Sequence, residues 1–300
     1  MMRREHGITT GLLVALLGVA LTSPALAVRG LNPLRVYEQT PEQANIVYDD
    51  VHFETGDGLT LHGWFLPFQD QEGNAVYQAA PIIILAPPEE GNMGDLLWHY
   101  FRFFRGAPWH VLLFDWRGYG SSDDWELPER AVVIPEFIRD LDAAIDYAKT
   151  RPEWDERHLA LFAFNMGAAI TLATTATRDD VSCLALRGVY TTQEDLVAAE
   201  REINPVLAPI ANPDYPAALE PLAVAPKIEV PVWIIAAEDD QQTTVDMGKR
   251  VYDALGGKRE FWIAKGAGHT AADIPENVQI DRFTGNLHAF LRRYIGTAGY

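Results

Sequence analysis

Short apolar runs alternate with longer amphipathic stretches over most of the chain. The apolar runs are, in order, Ile82–Ala86, Val111–Asp115, Leu159–Phe164, Cys183–Val189, Val232–Ala237 and Phe261–Ala264. The stretches with helical periodicity cover residues 95–105, 136–150, 166–177, 244–255 and 277–294. Near-continuous apolar strands separated by helices are typical of a parallel sheet that is covered on both faces. We therefore expect an α/β fold with a mostly parallel, twisted sheet and helices on both sides.

Two segments depart from this alternation. Val47–Thr55 and Leu59–Pro67 flank Gly56-Asp57-Gly58, which predicts a β-hairpin ahead of the parallel strands. Residues 193–229 are interrupted repeatedly by proline and predict a short cap over the carboxyl ends of the strands, where ligands enter such sheets. With residues 28–46 as a lead-in segment, the folded domain is expected to span 47–300.

The first 27 residues have the pattern of a secretory signal peptide. Arg3 and Arg4 precede an apolar run from Gly11 to Leu21, and the small-x-small sequence Ala25-Leu26-Ala27 follows. The run is shorter than the roughly 20 residues that a membrane-spanning helix needs. We expect export to a periplasm or to the medium, with an uncleaved N-terminal anchor as the alternative.

Charge and cysteine content exclude several functions. Lys+Arg number 24 against 42 Asp+Glu, a formal net charge of −18, which repels nucleic-acid phosphates and offers no polybasic membrane patch. The single cysteine, Cys183, allows no disulfide within the chain and reads as a packed thiol in a strand. No metal and no cofactor are predicted, because no metal-ligand spacing is seen among His52, His62, His99, His110, His158 and His288.

The segment from Leu113 to Ser122, Leu-Phe-Asp-Trp-Arg-Gly-Tyr-Gly-Ser-Ser, resembles the α/β-hydrolase superfamily. The resemblance is strongest to the small esterase/acylpeptidase-like branch, and it extends from Val47 to Tyr294. It implies a catalytic acid in Ala237-Glu238-Asp239-Asp240, placed at Asp240 with Asp239 as the alternative, and a catalytic histidine at His269. In that role a histidine takes the proton of a nucleophile and a carboxylate fixes its tautomer.

The turn that would carry the nucleophile reads Ala163-Phe164-Asn165-Met166-Gly167. Small residues flank it as the resemblance requires, but Asn165 has no ionisable O–H or S–H for a histidine to deprotonate. Asparagine does tolerate the positive-φ backbone that such a turn imposes. The serines stand elsewhere in the sequence, at Ser23, Ser121, Ser122 and Ser182. We therefore expect the turn to survive without its nucleophile.

The predicted oxyanion hole departs from the family pattern as well. Where relatives carry a His-Gly-Asn-x-Gly-Asn-like segment, this chain has Pro87-Pro88-Glu89-Glu90-Gly91-Asn92. The two prolines remove two N–H donors, and Glu89 brings a carboxylate to a place where negative charge would develop. Met166 retains an N–H that could serve as the second donor.

These features predict an exported α/β-hydrolase-fold protein without ordinary serine-hydrolase activity. Its former active-site cleft would bind a partner or a small molecule, such as an acyl or peptide-like ligand. One alternative is a hydrolase of ester or amide bonds in which His269 and Asp240 activate water. The other is a scaffold protein that binds no ligand.

Overall fold

An eight-stranded sheet forms the centre of the computed structural model, which describes residues 30–70 and 73–298. The strands are β1 (Asp49–Glu54), β2 (Thr60–Leu66), β3 (Ala80–Ala86), β4 (His110–Phe114), β5 (Trp154–Phe164), β6 (Cys183–Arg187), β7 (Val232–Ala237) and β8 (Arg259–Ala264). Their order across the sheet is β8-β7-β6-β5-β3-β4-β2-β1. Strand β2 is antiparallel to both of its neighbours, and β3 to β8 pair in parallel.

Helices connect the parallel strands. The longer ones are α1 (Phe137–Thr150), α2 (Met166–Thr175), α3 (Gln193–Ile203), α4 (Val245–Ala254) and α5 (Ile280–Ile295). Shorter helical segments are Met93–Leu96, Leu97–His99, Tyr100–Phe104, Ala217–Leu219, Pro221–Val224, Ala225–Lys227 and Pro275–Val278. Two-residue ladders pair Asn32–Pro33 with Glu90–Gly91 and Phe68–Gln69 with Ala75–Val76. Among the described residues, no helix has the length and apolar character needed to cross a membrane.

Alternate residues of each central strand enter two separate cores, one on each face of the sheet. In β3, Ile82 and Ile84 join the core beneath α1, α2 and α4, whereas Ile83 and Leu85 join the core beneath α5. Both faces are therefore buried, which explains why the strands read as continuous apolar runs rather than as alternating ones. The α/β architecture predicted from the sequence is confirmed.

Two predicted helices are divided in the structure. The stretch predicted as a helix over 95–105 changes from a 3-10 turn to one α-helical turn and then to a π-helix, in which the Arg105 N–H donates to the Tyr100 carbonyl at 2.9 Å. The stretch predicted over 277–294 is interrupted at Gln279, whose φ of −130° and ψ of 46° are not helical. Apolar periodicity continues across both interruptions, so the sequence pattern could not locate them.

The segment predicted as a cap, residues 193–229, consists of two parts with different positions. Ile210 pairs with Ala131, in the loop that follows the carboxyl end of β4. Val224 and Ile228, in contrast, belong to the core beside α2 and α4, so this later part covers a sheet face. The boundary of any cap therefore lies before Pro221.

The lead-in segment is attached to the loop after β3. Asn32 and Pro33 pair with Glu90 and Gly91, and the Leu34 N–H donates to the Gly91 carbonyl at 2.9 Å. The predicted signal peptide, residues 1–27, lies outside the described residues.

A buried arginine joins the hairpin to α1. Arg117 Nε lies 2.8 Å from Asp140 Oδ1, and its terminal nitrogens lie 2.9 and 3.0 Å from the carboxylate of Asp57 in the hairpin turn. The side chains of Arg117 and Asp140 are both fully buried. Removing one partner of such a pair leaves an uncompensated buried charge, which is strongly destabilising.

We expect Asp140→Ala to lower the free energy of unfolding by about 3–5 kcal/mol, because the Arg117 guanidinium loses its buried partner. Urea unfolding followed by circular dichroism measures this change. As a control, Asp146→Ala removes an exposed carboxylate that pairs with Arg178, and it should cost less than about 1 kcal/mol. Equal losses in the two variants would contradict the assignment.

Candidate functional site

The turn between β5 and α2 places Asn165 at the carboxyl edge of the sheet. Its backbone has φ 49° and ψ −113°, a conformation that is strained for most residues other than glycine. The Asn165 N–H donates to the Arg187 carbonyl at 2.9 Å, and its own carbonyl accepts from Ala168 at the start of α2. The predicted sharp turn is thus held on both sides by backbone hydrogen bonds.

The first turn of α2 packs directly on the end of β3. A Cβ atom at Gly167 would lie 2.4 Å from the Pro87 carbonyl oxygen and 2.6 Å from that of Ala86. Glycine is therefore required at this position, because a side chain would push the helix away from the strand. This close approach brings the Met166 N–H next to the loop that contains Glu89.

Asp240 and His269 form a hydrogen-bonded pair at the same edge. His269 Nδ1 lies 2.9 Å from Asp240 Oδ2. The other carboxylate oxygen, Oδ1, accepts from the N–H groups of Gln242 and Thr243 at 2.8 and 2.9 Å. Asp239 is exposed, so Asp240 is the acid that contacts the histidine.

This pairing shifts the pKa of both groups. Burial by itself would lower the pKa of His269, but the hydrogen bond and the charge of Asp240 outweigh burial and raise the pKa above its ordinary value. Burial would likewise raise the pKa of Asp240, yet hydrogen bonds from His269 and Thr243 keep it below its ordinary value. The pair is therefore built to hold a proton on the imidazole next to a carboxylate.

The side-chain amide of Asn165 faces the second nitrogen of His269. Asn165 Nδ2 lies 3.4 Å from His269 Nε2, whereas Asn165 Oδ1 is buried without a hydrogen-bond partner and lies against Gly188. With Nδ1–H donating to Asp240, a neutral His269 presents a lone pair at Nε2, and an amide N–H is a suitable donor for it. An amide cannot transfer a proton there, so the contact positions the ring without activating a nucleophile.

The carboxylate of Glu89 occupies the backbone donors of the predicted oxyanion hole. Glu89 Oε2 accepts from the Met166 N–H at 3.3 Å, and the N–H of Glu89 itself also hydrogen bonds to this carboxylate. Burial and the neighbouring charge of Glu90 raise the pKa of Glu89. An acidic group of the chain therefore occupies the Met166 N–H, which the sequence predicted as an oxyanion donor.

The lead-in segment and the loop after β4 fix the backbone of Glu89. Its carbonyl accepts from the Tyr119 hydroxyl at 2.5 Å and from the Asn32 N–H at 2.9 Å. Tyr119 is itself almost fully buried. Because Pro87 and Pro88 precede Glu89 and restrict the chain further, the carboxylate is held at the site by a rigid loop.

A buried charged cluster behind His269 was not predicted from the sequence. Arg187 Nε lies 3.1 Å from Glu276 Oε1, and His99 Nε2 lies 3.8 Å from the same oxygen. The Arg187 charge lowers the pKa of His269, opposing Asp240. The cluster connects the segment after His269 to the end of β6. Its only signal in the sequence was a charged residue, Arg187, at the end of an apolar strand.

Two serines and the cysteine of the chain lie elsewhere in the fold. The Ser122 hydroxyl donates to the Asp115 carbonyl at 2.8 Å, and the Ser182 hydroxyl accepts from the Leu159 N–H at 3.2 Å. Cys183 is fully buried, and burial raises the pKa of its thiol. None of these three side chains stands at the turn that faces His269.

An open cavity of about 560 Å³ lies near the start of α3, lined by residues that include Gln193, Asn212, Tyr215 and Glu220. Neither Asn165 nor His269 lines it. The cavity is thus distinct from the site formed by Glu89, Asn165 and His269.

Known proteins share both the sheet order and parts of the sequence. Residues 95–221 match the family described as serine aminopeptidase, S33. An esterase of Pyrococcus furiosus, Pf2001, superposes with a TM-score of 0.68 at 18% sequence identity, covering 88% of this chain and 100% of that one. The chain has the α/β-hydrolase fold. At 18% identity, the similarity to this esterase supports a shared fold and does not indicate a shared activity.

Two curated proteins are similar in sequence to parts of this chain. The chain is 28% identical over 162 residues to the α/β-hydrolase domain-containing protein WAV2 of Arabidopsis thaliana, a match that spans 53% of this chain and 48% of WAV2. It is 25% identical over 227 residues to an uncharacterized protein of Mycobacterium tuberculosis, spanning 75% of this chain and 73% of that protein. The match to WAV2, an α/β-hydrolase domain-containing protein by its name, agrees with the fold of this chain.

The pKa of His269 should lie above about 6.5 and should fall below that value in Asp240→Asn, because burial then acts without the opposing charge. Nuclear magnetic resonance titration of the imidazole C–H signals measures both values. His288, whose pKa is lowered by burial, is the internal control and should not change. A raised folded-state pKa stabilises the protein below about pH 6.5, and this contribution is lost as the pH rises through that pKa. A His269 pKa below 6.5 in the unmodified protein would contradict the analysis of the pair.

Proposed function

We propose that this chain is an exported α/β-hydrolase-fold protein that lacks ordinary serine-hydrolase chemistry. Its former active-site cleft, between Glu89, Asn165 and His269, would bind a partner or a small molecule with acyl or peptide-like character. The observation that carries the proposal is the hydrogen bond from the Met166 N–H to the Glu89 carboxylate. The proposal of export rests on the sequence pattern of residues 1–27.

Two independent features support the loss of acyl transfer. We infer that Asn165 stands at the nucleophile position, where a carboxamide offers no proton to His269 and no nucleophilic oxygen. Glu89 supplies negative charge where a tetrahedral intermediate would develop its own, so the electrostatic contribution to catalysis is reversed in sign. Restoring one feature without the other should not restore the reaction.

The groups in the cleft define what it could bind. Glu89 offers a carboxyl group of raised pKa and His269 offers an imidazole that holds a proton readily, whereas the unpartnered Asn165 oxygen is buried against Gly188. A ligand with both an N–H donor and a carbonyl acceptor would satisfy Glu89 and His269, which favours an amide-containing or acylated small molecule.

The second candidate is a hydrolase that activates water directly. The intact Asp240–His269 hydrogen bond favours it, because that pair could accept a proton from water. Glu89 opposes this route, since it repels the negative charge that attack on a carbonyl would create. The third candidate is a scaffold protein, which would neither bind a ligand at this site nor turn over a substrate.

Assays on the purified chain separate the three possibilities. The proposal predicts no labelling by a fluorophosphonate, no turnover of short p-nitrophenyl esters above background, and an upward thermal shift with some acyl or peptide-like compounds. The shift should disappear in His269→Ala and persist in Glu194→Ala, a change in the separate cavity near α3. Ester turnover that is lost in His269→Ala without any labelling would establish the water-activating hydrolase, whereas a thermal-shift screen without any response would establish the scaffold.

Asn165→Ser should not by itself give esterase activity, because Glu89 still occupies the Met166 N–H. The double variant Asn165→Ser/Glu89→Ala frees that donor, and one such donor is worth about 10²–10³ in rate. We therefore expect p-nitrophenyl ester turnover up to about a hundredfold above that of Asn165→Ser. Asn165→Ser/Glu90→Ala is the matched control, because Glu90 is exposed and should leave the rate unchanged. Turnover typical of an ordinary esterase in Asn165→Ser alone would refute the role assigned to Glu89.

A further inference from the structure

Three side chains with metal-binding atoms meet on the hairpin, away from the cleft. Asp50 and His52 lie two residues apart on β1 and therefore share one face of the strand. His62 on β2 is the direct cross-strand partner of His52. One oxygen of Asp50 and one ring nitrogen from each histidine all lie within 4.8 Å of one another.

The hydrogen bonds around Tyr37 determine which nitrogen of His62 carries the proton. The Tyr37 hydroxyl donates to Asp115 and accepts from the Ser121 N–H at 2.8 Å. When Asp115 is ionised, the single hydrogen of the Tyr37 hydroxyl is committed to it, and the 2.8 Å contact with His62 Nδ1 is then made with Nδ1–H as the donor. A neutral His62 in this tautomer presents a lone pair at Nε2.

That lone pair faces a carboxylate oxygen. His62 Nε2 lies 2.6 Å from Asp50 Oδ1, and two electron-rich atoms at this distance repel each other unless a cation lies between them or beside them. The cation can be a second proton on the imidazole or a metal ion. The ring of His52 lies 4.8 Å from that of His62 and offers a third ligand atom. A metal ion would use this third ligand, whereas a proton shared by His62 and Asp50 would not.

We propose that Asp50, His52 and His62 form a binding site for a divalent transition metal ion of the Zn²⁺ type. Two imidazoles and one carboxylate suit this class of ion, and a water molecule would complete four-fold coordination. His62 is buried and fixed by Tyr37, whereas Asp50 and His52 are exposed. Because they are exposed, a rotation of either side chain would bring the ligand atoms to the separation of about 3–3.5 Å that bonds of 2.0–2.2 Å require.

The proposed ion would be structural. It would cross-link β1 to β2, and through the contact of His62 with Tyr37 it would hold the lead-in segment against the hairpin. Neither the Asp240–His269 pair nor the Glu89 loop takes part in this site. The metal site and the proposed function can therefore be tested independently of each other. A metal that binds only the folded chain raises its thermal stability.

Isothermal titration calorimetry with Zn²⁺, and Co²⁺ absorption spectroscopy, test the site on the full chain without an affinity tag. We expect one ion per chain and tetrahedral Co²⁺ bands. Both exposed-ligand variants, His52→Ala and Asp50→Asn, should weaken Zn²⁺ affinity at least tenfold. The control is His158→Ala, which removes a histidine from a two-residue pair with Asp155, and its affinity should stay within twofold.

Circular dichroism and urea unfolding confirm that the variants are folded, which is expected because His52 and Asp50 are exposed. Absence of Zn²⁺ binding would overturn the proposal and leave the His62–Asp50 contact as a charged hydrogen bond. Binding that neither His52→Ala nor Asp50→Asn weakens would overturn it as well, because it would show adventitious coordination elsewhere.

Discussion

The sharp turn at Asn165 is the constraint on which the candidate site depends. A single residue with positive φ ends β5, starts α2 and turns its side chain toward His269. The turn is possible only because Gly167 lets the helix approach the end of β3. That approach in turn places the Met166 N–H beside Glu89. The architecture is therefore compatible with an asparagine at this turn, since backbone hydrogen bonds and close packing maintain the geometry independently of the side-chain chemistry.

The candidate site brings together a histidine that holds a proton and the acidic side chain of Glu89. His269 holds a proton readily because of Asp240, and the carboxyl group of Glu89 accepts the Met166 N–H at the start of α2. In water such groups would interact weakly, but partial burial strengthens each interaction. A polar ligand entering here would exchange hydrogen bonds with fixed partners, which favours recognition of a particular arrangement of donors and acceptors over general affinity.

The fold could be predicted because its signal is periodic and long. Strand β7 has the same bounds in the structure as in the sequence pattern, since both of its faces are apolar along its whole length. Strand β5 begins at Trp154, five residues before the predicted start, because its first residues are polar and partly exposed. Asn165, Asp240, His269 and Glu89 could be located through a resemblance that fixes their order along the chain. The choice between Asp239 and Asp240 depends on the local turn, which sequence alone does not determine.

Features that depend on contacts between distant strands could not be predicted. Arg187 and Glu276 meet across the sheet edge, and His52 meets His62 only through the register of the hairpin, so neither pair has a characteristic spacing. The prediction that no metal binds was based on residue spacing along the chain. The site proposed at Asp50, His52 and His62 instead brings together residues from both sides of a turn.

The ladder between Asn32–Pro33 and Glu90–Gly91 also has a consequence for maturation. The peptide segment that fixes the acidic loop lies only a few residues beyond the predicted end of the signal peptide at residue 27. Cleavage at the predicted position would leave the ladder whole, whereas removal of Asn32 would remove a hydrogen bond from the Glu89 carbonyl. A chain that began after Asn32 would therefore hold the backbone of Glu89 less firmly.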